Sequence, residues 1–500
     1  MKSSFLFEGM SLSPNLVRDL RRLNPWWEDL PLPVLPETRR NLVETIHRRL
    51  KHNLAPIVVV RGPRQIGKTT AQLHVIQDLL TRGVDPRCIF RVQCDDLPSL
   101  MQLEEPILRL VDWYEESVLG QTLNQAAHGG QPTFLFFDEV QNLADWAEQL
   151  KSLVDASTTQ IVVTGSSALR IERGRDSLAG RINTIEAGVL SLTEIGRFHG
   201  LEVGPPFLPD NGLEPIGKVE FWRQLSGHGE AVRSARDAAF AAFSERGGYP
   251  LGHKVMDAPW EFLADQLNET VIRRVIQHDL RIGDRGRKRD AVLLEEVFRL
   301  CCRYVGQTPS STLLARECQA ALNANIGPQR IDHYLRFLAD TLLLRLARPL
   351  EIRLKKSRSG SKICLADHAL RASWLQEVVP LTVEGLEREP HLTTLAGHIA
   401  ESVVGTALCG IGGLDVAHLP ERKPSPEVDF ILTVGTIRIP LEVKYQSRID
   451  PIRDTAGLRS YLDVAVNNAP FGLLITRQFD ERLPDKRIIA MPLSTFMLIK

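Results

Sequence analysis

The segment Gly62-Pro-Arg-Gln-Ile-Gly67-Lys68-Thr69 fits the pattern G-x-x-x-x-G-K-[ST] at every position. It follows an apolar run that predicts a strand over 57–61, and it opens a predicted helix over 70–80, which is the context that this pattern requires. The glycines let backbone N–H groups curl around phosphates, and the helix amino end adds positive potential. The stretch therefore predicts a phosphate-binding loop (P-loop) formed by Gly62, Pro63, Arg64, Gln65, Ile66, Gly67, Lys68, Thr69 and Thr70.

A second motif, Phe134-Leu-Phe-Phe-Asp138-Glu139, places two acidic residues after four apolar ones. The apolar run predicts a buried central strand, and α/β sheets bind ligands at the carboxyl ends of such strands. Together the two motifs predict binding of ATP with Mg²⁺. Lys68 is expected to reach the β- and γ-phosphates, and Thr69 and Asp138 to hold the metal. Glu139 is placed to deprotonate the attacking water. The alternative is a surface acidic pair that merely ends a strand.

Two further residues are candidates for the same site. Ser166 follows a predicted strand over 160–165, where its hydroxyl either senses the γ-phosphate or caps the next helix. Arg181, in Ser177-Leu-Ala-Gly-Arg181, is a candidate catalytic arginine for the γ-phosphate of its own or a neighbouring subunit. A surface arginine or a structural ion pair is the alternative for Arg181.

Short apolar strands alternate with helical patterns through the first part of the chain. The alternation indicates a parallel α/β sheet. We place the strands at 57–61, 89–93, 133–138, 160–165 and 183–187.

The composition narrows the choice of partner and compartment. Sixty-one basic residues balance 61 acidic ones, so nucleic acid could be attracted only by a local patch. The seven cysteines form no C-x-x-C pair, which indicates a reducing, cytoplasmic compartment. No signal peptide is apparent, and the apolar runs are too short to span a bilayer, so we expect no membrane contact.

Paired carboxylates recur near the carboxyl terminus. The segments Glu427-Val-Asp429 and Glu442-Val-Lys444 flank a Val434-Gly435-Thr436 turn and predict a hairpin, with Glu442 and Lys444 on one face. Two carboxylates can hold Mg²⁺ against a scissile phosphate while a lysine positions water. The alternatives are a hairpin with solvent-facing charges, or a nuclease-type fold used for docking without cleavage.

The order of motifs resembles a known family. The segments are GPRQIGKTT (62–70), FLFFDEVQ (134–141), VVTGSSALR (162–170), SLAGR (177–181), GGYP (247–250), EVDF (427–430) and LEVK (441–444). They resemble the bacterial and archaeal AAA-type ATPases that carry a C-terminal domain of unknown function with a restriction-endonuclease-like fold. In that resemblance, Glu401 matches the metal-binding carboxylate of the preceding helix, joining Asp429 and Glu442 as metal ligands, with Glu442 and Lys444 as catalytic residues. Departures are His278-Asp279-Leu280, where family members often have Arg-Asp-Ile, and the long insertion 204–229.

The resemblance, which covers about residue 24 to the end, and the composition together predict an α/β architecture of six segments. They are an N-terminal helical arm (1–52), a P-loop AAA-type ATPase core (53–203), a Gly/Pro-rich insertion (204–230), a helical lid (231–290), a winged-helix-like domain (291–372) and a restriction-endonuclease-like α/β domain (386–500).

A basic patch in the winged-helix segment is a candidate contact for DNA. The loop Arg353-Leu-Lys355-Lys356-Ser-Arg358-Ser-Gly-Ser-Lys362 could follow a phosphate backbone, with Arg330 and Arg336 on a recognition helix. The alternative is that these charges only solvate a turn and the domain docks onto protein.

We therefore expect an ATP-hydrolysing enzyme whose C-terminal domain binds or cleaves nucleic acid under the control of ATP. The alternative is an ATP-dependent regulatory switch that binds a protein partner, with an inert nuclease-like domain. A third possibility is a signalling NTPase of the innate-immunity type, which requires assembly of a homo-oligomeric ring or hub.

Overall fold

The computed structural model describes residues 12–166, 177–208, 212–277, 290–351, 360–421, 427–478 and 483–500. The chain divides into two compact units, Met1–Ala187 and Gly188–Lys500. The six segments that the sequence predicts stay a prediction; residues 1–187 of the chain form one unit and the later segments lie in the other.

The first unit alternates helices and strands. Its elements are α1 (Pro14–Leu23), α2 (Asn41–His52), β1 (Ile57–Arg61), α3 (Lys68–Thr81), β2 (Ile89–Gln93), α4 (Pro106–Tyr114), α5 (Leu123–His128), β3 (Phe134–Asp138), α6 (Trp146–Ala156), β4 (Gln160–Gly165) and β5 (Ile182–Glu186).

The five strands of the first unit form one sheet in the order β2-β3-β4-β1-β5. Every neighbouring pair is parallel, which confirms the predicted α/β fold. Strand β4 lies between β1, which leads into the P-loop, and β3, which ends in Asp138. All five residues of β3 are buried, as expected for a central strand covered on both faces. The carboxyl ends of β1, β3 and β4 therefore meet at one edge of the sheet.

The second unit begins with helices and ends in a mixed sheet. Its elements are α7 (Leu192–Phe198), α8 (Val219–Ala231), α9 (Arg233–Arg246), α10 (Pro250–Lys254), α11 (Trp260–Leu267), α12 (Arg274–Gln277), α13 (Ala291–Arg303), α14 (Ser311–Leu322), α15 (Pro328–Asp340), β6 (Leu344–Pro349), β7 (Lys362–Leu365), α16 (His368–Leu375), α17 (Val383–Arg388), α18 (Thr393–Cys409), β8 (Asp415–Leu419), β9 (Val428–Val434), β10 (Ile437–Lys444), α19 (Ala456–Leu462), β11 (Gly472–Thr476), β12 (Ile488–Pro492) and α20 (Leu493–Phe496).

The seven strands of the second unit share one sheet, in the order β12-β11-β10-β9-β8-β6-β7. Strands β9 and β10 are the predicted antiparallel hairpin, and β11 runs parallel to β10. Strand β6 pairs with β8 through Arg348 and Ala417. The hairpin β6–β7 of the predicted winged helix is thus continuous with the C-terminal sheet, so no gap separates the segments 291–372 and 386–500.

The Gly/Pro-rich stretch 204–230 is not simply a surface insertion or linker, which corrects the prediction. Its second half is helix α8, with Phe221, Trp222 and Leu225 buried. The prediction followed the glycines and prolines, but Gly229 permits close packing: a Cβ there would lie 2.9 Å from the Cβ of Thr495 in α20. Close contact with another helix is a packing reason for glycine inside a helix.

Within the described ranges, one helical stretch, Pro390–Cys409, has the length and hydropathy of a membrane span. It comprises α18 and the short turn before it. Buried residues of α18, including Ile399, Val404 and Leu408, belong to the core of the second unit. Burial in this core accounts for the apolar composition of the helix.

The two glycines of α8 give a matched test of this packing. Gly229→Ala should destabilise the second unit by about 1–3 kcal/mol, because the added methyl overlaps Thr495. Gly227→Ala, at an exposed position with nothing near its Cβ, should stabilise α8 by about 0.5–1 kcal/mol. Thermal and urea unfolding of both variants measures the difference. Equal effects of the two substitutions would contradict the close contact.

Candidate functional site

The P-loop follows β1 and is shaped by glycine where a side chain has no room. A Cβ at Gly62 would lie 2.5 Å from the carbonyl oxygen of Ala187 and 2.5 Å from Cδ1 of Ile66. Gly67, with φ of 87°, precedes α3 in the left-handed region that favours glycine. These two constraints turn the backbone from β1 into the amino end of α3.

Lys68 is the first residue of α3, and its side chain is folded over the loop. Its Nζ donates to the carbonyl oxygens of Gly62 at 3.0 Å and Pro63 at 2.8 Å, and the residue is buried. The ammonium is thereby held at the concave side of the loop, where the sequence predicts the phosphates.

Asp138 lies at the carboxyl end of β3 and gathers groups from three other elements. Its Oδ2 accepts from the Thr69 hydroxyl at 2.7 Å, and its Oδ1 accepts from the Thr164 hydroxyl of β4. Nη2 of Arg91, on β2, lies 3.4 Å from Oδ2. Mg²⁺ prefers oxygen ligands and is commonly held by one or two protein groups together with phosphates. The adjacent oxygens of Thr69 and Asp138 fit that requirement.

Glu139 is held by two side chains next to Asp138. Its Oε2 accepts from the Ser166 hydroxyl at 2.8 Å and from Nε2 of Gln141 at 2.5 Å. Burial raises the pKa of Glu139, but the positive charge of Lys68 and these hydrogen bonds outweigh it, so the pKa lies below its ordinary value. The carboxylate is therefore ionised at neutral pH and can accept a proton. Ser166 thus contacts Glu139, and the two roles predicted for its hydroxyl, sensing the γ-phosphate and capping the next helix, stay predictions.

Arg91 is a site residue that the sequence analysis missed. Its guanidinium is buried, donating to Oε1 of Gln72 at 3.1 Å and of Gln93 at 2.8 Å as well as lying against Asp138. The available signal is an arginine between the apolar residues Phe90 and Val92 of β2, because a buried charge needs a partner.

Arg181 lies at the opposite edge of the sheet from the P-loop. It immediately precedes β5, whose first residue pairs with the first residue of β1, and its guanidinium contacts the Asp155 carboxylate at 2.6 and 2.9 Å. Arg181 thus forms an ion pair and does not reach the phosphate site of its own subunit. A contact with the nucleotide of a neighbouring subunit stays a prediction.

The C-terminal candidates come together in the second unit. Glu401 lies on α18, Asp429 on β9, and Glu442 and Lys444 on β10. Oδ2 of Asp429 accepts from the backbone N–H of Val443 at 2.9 Å, and Nζ of Lys444 donates to Oε1 of Glu442 at 2.6 Å.

A lysine that the sequence assigned to the basic loop enters this cluster. Nζ of Lys362, on β7, donates to Oδ1 of Asp429 at 2.6 Å and to Oε2 of Glu401 at 2.7 Å. Its side chain is 2% exposed, so Lys362 cannot follow a nucleic-acid backbone as predicted. Burial lowers the pKa of Lys362, but the charges of Asp429 and Glu401 outweigh it and the net shift is upward, which keeps the ammonium charged.

The three C-terminal carboxylates do not fit a metal as arranged, which corrects the predicted ligand set of Glu401, Asp429 and Glu442. Among the described residues, no group of three or more His, Cys, Asp or Glu side chains is arranged to hold a metal ion. Burial, helped by the charge of Asp429, raises the pKa of Glu401 to about 8 and that of Glu442 to about 7. A buried carboxyl group ionises less readily, so its negative charge depends on the lysine that contacts it.

Part of the predicted DNA contact lies outside the described residues, namely 352–359 of the basic loop. The departure at His278-Asp279-Leu280 also lies outside them. Arg330 and Arg336 are exposed on α15. The Arg330 guanidinium lies 3.7 Å from the Asp290 carboxylate and 6.0 Å from the centre of the Tyr334 ring.

Comparisons with known proteins bear mainly on the first unit. Residues 54–196 match the family model of an AAA domain, AAA_14, and residues 238–379 match a domain of unknown function, DUF8612. Uncharacterized proteins of Mycobacterium bovis and Mycobacterium tuberculosis are each 26% identical over 161 residues, which is 32% of this chain. The match spans only 30% of the length of each mycobacterial protein.

Two solved structures were also compared. The Walker-type ATPase of Pyrococcus abyssi has a TM-score of 0.43 and 14% identity, over 69% of this chain and 99% of its own. Cdc6p from Pyrobaculum aerophilum has a TM-score of 0.25 and 10% identity, over 71% and 97% respectively. The family match and the geometry of the P-loop site together identify residues 54–196 as a P-loop ATPase domain of the AAA type.

Proposed function

We propose that the chain binds ATP with Mg²⁺ and hydrolyses the nucleotide, with Glu139 as the general base. The observation that carries the proposal is the ionised Glu139 carboxylate, held by Ser166 and Gln141 one residue after Asp138. A base at this position needs a fixed orientation, and these two contacts to Oε2 supply it.

Each group in the P-loop site has a part in this proposal. The amino end of α3 and the Lys68 ammonium bind the phosphates, with Lys68 exchanging the carbonyl oxygens of Gly62 and Pro63 for phosphate oxygens. Thr69 and Asp138 would hold Mg²⁺, which supplies charge neutralisation on the phosphates when bound. Arg91 keeps Asp138 oriented from β2. Glu139 takes the proton of the attacking water as the bond to the γ-phosphorus forms and the ADP oxygen leaves.

Replacement of the base tests the proposal directly. Glu139→Gln keeps the shape of the side chain and removes the proton acceptor, so ATP binding should persist while kcat falls by about 100-fold or more. Glu148→Gln, at an exposed position on α6, is the matched control and should hydrolyse ATP at the wild-type rate. Fluorescent-nucleotide titration and phosphate release measure the two quantities. Wild-type turnover in Glu139→Gln would exclude Glu139 as the base.

Ser166 should act through Glu139. The Ser166 hydroxyl stabilises the ionised carboxylate, so Ser166→Ala should raise the pKa of Glu139 and move the acidic limb of the kcat profile to higher pH. Loss of a hydrogen bond to a charged group, about 1.5–3 kcal/mol, should also lower kcat by roughly 10- to 100-fold. Steady-state rates across pH separate this role from a structural one. An unshifted acidic limb would mean that Ser166 does not act on the base.

We further propose that the second unit contacts a nucleic-acid backbone through α15. The exposed residues of this helix include Arg330, His333 and Arg336 and carry no acidic group, since Asp332 and Asp340 are only partly exposed. Positive groups at a helix surface bind phosphates without reading sequence. Binding of a protein partner is the competing function, and the ATP state would control either one.

DNA titration separates these two functions. If α15 contacts phosphates, duplex DNA should stimulate ATP hydrolysis, and Arg330→Ala/Arg336→Ala should weaken binding and reduce the salt slope of log K by about 2. Arg223→Ala, at an exposed position on α8, is the control and should bind like wild type. Fluorescence anisotropy across salt concentrations measures the slope. No binding and no stimulation by DNA would favour the protein-binding switch.

A further inference from the structure

Lys362 occupies the position that a cation would take in the C-terminal cluster. Its Nζ lies within hydrogen-bonding distance of both Glu401 and Asp429, which belong to different elements, α18 and β9. The same ammonium lies 5.0 Å from the centre of the Phe430 ring. A single charged group thus joins two carboxylates inside a nearly closed environment.

The backbone of β7 holds Lys362 in this place on the side of α18. The N–H of Leu365 donates to the Ser402 hydroxyl at 2.9 Å, and the Thr406 hydroxyl donates to the carbonyl oxygen of Leu365 at 2.7 Å. A Cβ at Gly405 would collide with the sulfur of Cys364 and lie 2.9 Å from Phe430. The strand and the helix therefore pack too closely for β7 to shift along α18.

The same edge of β7 carries further hydrogen bonds at Ile363, while its other edge pairs with β6. The N–H of Gly306 donates to the carbonyl oxygen of Ile363 at 2.8 Å, and the N–H of Ile363 donates to that of Gln307 at 2.9 Å. Lys362 is consequently not a long surface side chain that happens to point inward. It is a residue whose strand is fixed by hydrogen bonds on both sides.

The balance of charge in the cluster also opposes a divalent ion. Glu401, Asp429 and Glu442 bring at most three negative charges, and Lys362 and Lys444 bring two positive charges in direct contact with them. A hard divalent cation binds carboxylate oxygens that are not already bonded to another cation, whereas here an oxygen of each of the three carboxylates already accepts from an ammonium. Mg²⁺ could enter only if Lys362 left or lost its partners.

We propose that the Lys362 ammonium takes the place of a metal ion, so that the C-terminal cluster is a metal-free ion-pair centre and not a metal-dependent nuclease site. The centre joins β7, from the segment before the nuclease-like domain, to α18 and β9 within it. Its function is to fix these elements together. This inference is independent of ATP hydrolysis at Glu139.

Removal of the lysine should create the metal site that the wild type lacks. The test is binding of Mn²⁺ alone to the full chain, without nucleotide, measured from the electron paramagnetic resonance signal of free Mn²⁺. Lys362→Met keeps the apolar stem and removes the charge, and it should gain one bound Mn²⁺ per chain. That added site should disappear in Lys362→Met/Asp429→Asn. Lys444→Met, which removes a lysine that contacts only Glu442 among the three carboxylates, is the matched control and should gain none.

The wild-type chain decides the question even if Lys362→Met fails to fold. The wild type and Asp429→Asn should bind the same amount of Mn²⁺. The wild type should also cleave DNA no faster than Glu442→Ala. A Mn²⁺ site that Asp429→Asn abolishes, or DNA cleavage that Glu442→Ala abolishes, would overturn the proposal, because Lys362 is intact in both chains. A folded Lys362→Met variant that gains no Mn²⁺ would also overturn it. Circular dichroism establishes folding in each case. Because the binding assay contains no nucleotide, its outcome is separate from that of the ATPase tests.

Discussion

The contacts of one buried carboxylate organise the first unit. Asp138 ends the central strand β3, and it accepts hydrogen bonds from Thr69 on α3 and Thr164 on β4 while Arg91 approaches from β2. A charge that is 1% exposed must be compensated by such contacts, because an unpaired buried ion costs several kcal/mol. The requirement links the P-loop helix to three strands at the carboxyl edge of the sheet, which is where Lys68, Glu139 and Ser166 also lie.

The parts of this site that follow from local sequence could be predicted. The P-loop is a contiguous segment with glycine, lysine and threonine at fixed positions between a strand and a helix. Its pattern can therefore be recognised from the sequence alone. The acidic pair Asp138–Glu139 is equally local. By contrast, the contact of Ser166 with Glu139 follows from the pairing of β4 with β3, which places the ends of the two strands side by side. Arg91 is part of the site only because β2 lies beside β3, and the order of strands in the sheet cannot be predicted from the sequence of β2 alone.

The two wrong predictions, for Lys362 and for the stretch 204–230, also result from tertiary contacts. Lys362 ends a run of basic residues and glycine, which predicts an exposed loop, but the pairing of β6 with β8 brings β7 against α18 and buries it. The glycines before 230 predicted a linker, yet Gly229 is a contact point between helices. In both cases a residue type that is usually exposed or flexible is explained by a partner more than 30 residues away. Composition cannot reveal such partners, because they follow from tertiary packing.

The two acidic sites of the chain differ in what neutralises them. In the first unit, hydroxyl groups donate to Asp138 and Glu139, and Lys68 is held by backbone carbonyl oxygens that phosphate can replace. Hydroxyl groups leave negative charge in place for a metal, and the one cation beside Asp138 in the described residues, Arg91, lies at 3.4 Å. In the second unit, the ammonium of Lys362 bonds two carboxylates directly and removes that charge. Two clusters that both resemble metal sites in sequence therefore differ in the charge that they leave available. The first keeps negative charge, which agrees with the proposed binding of magnesium and nucleotide, whereas the second uses its charge to hold strands and a helix together.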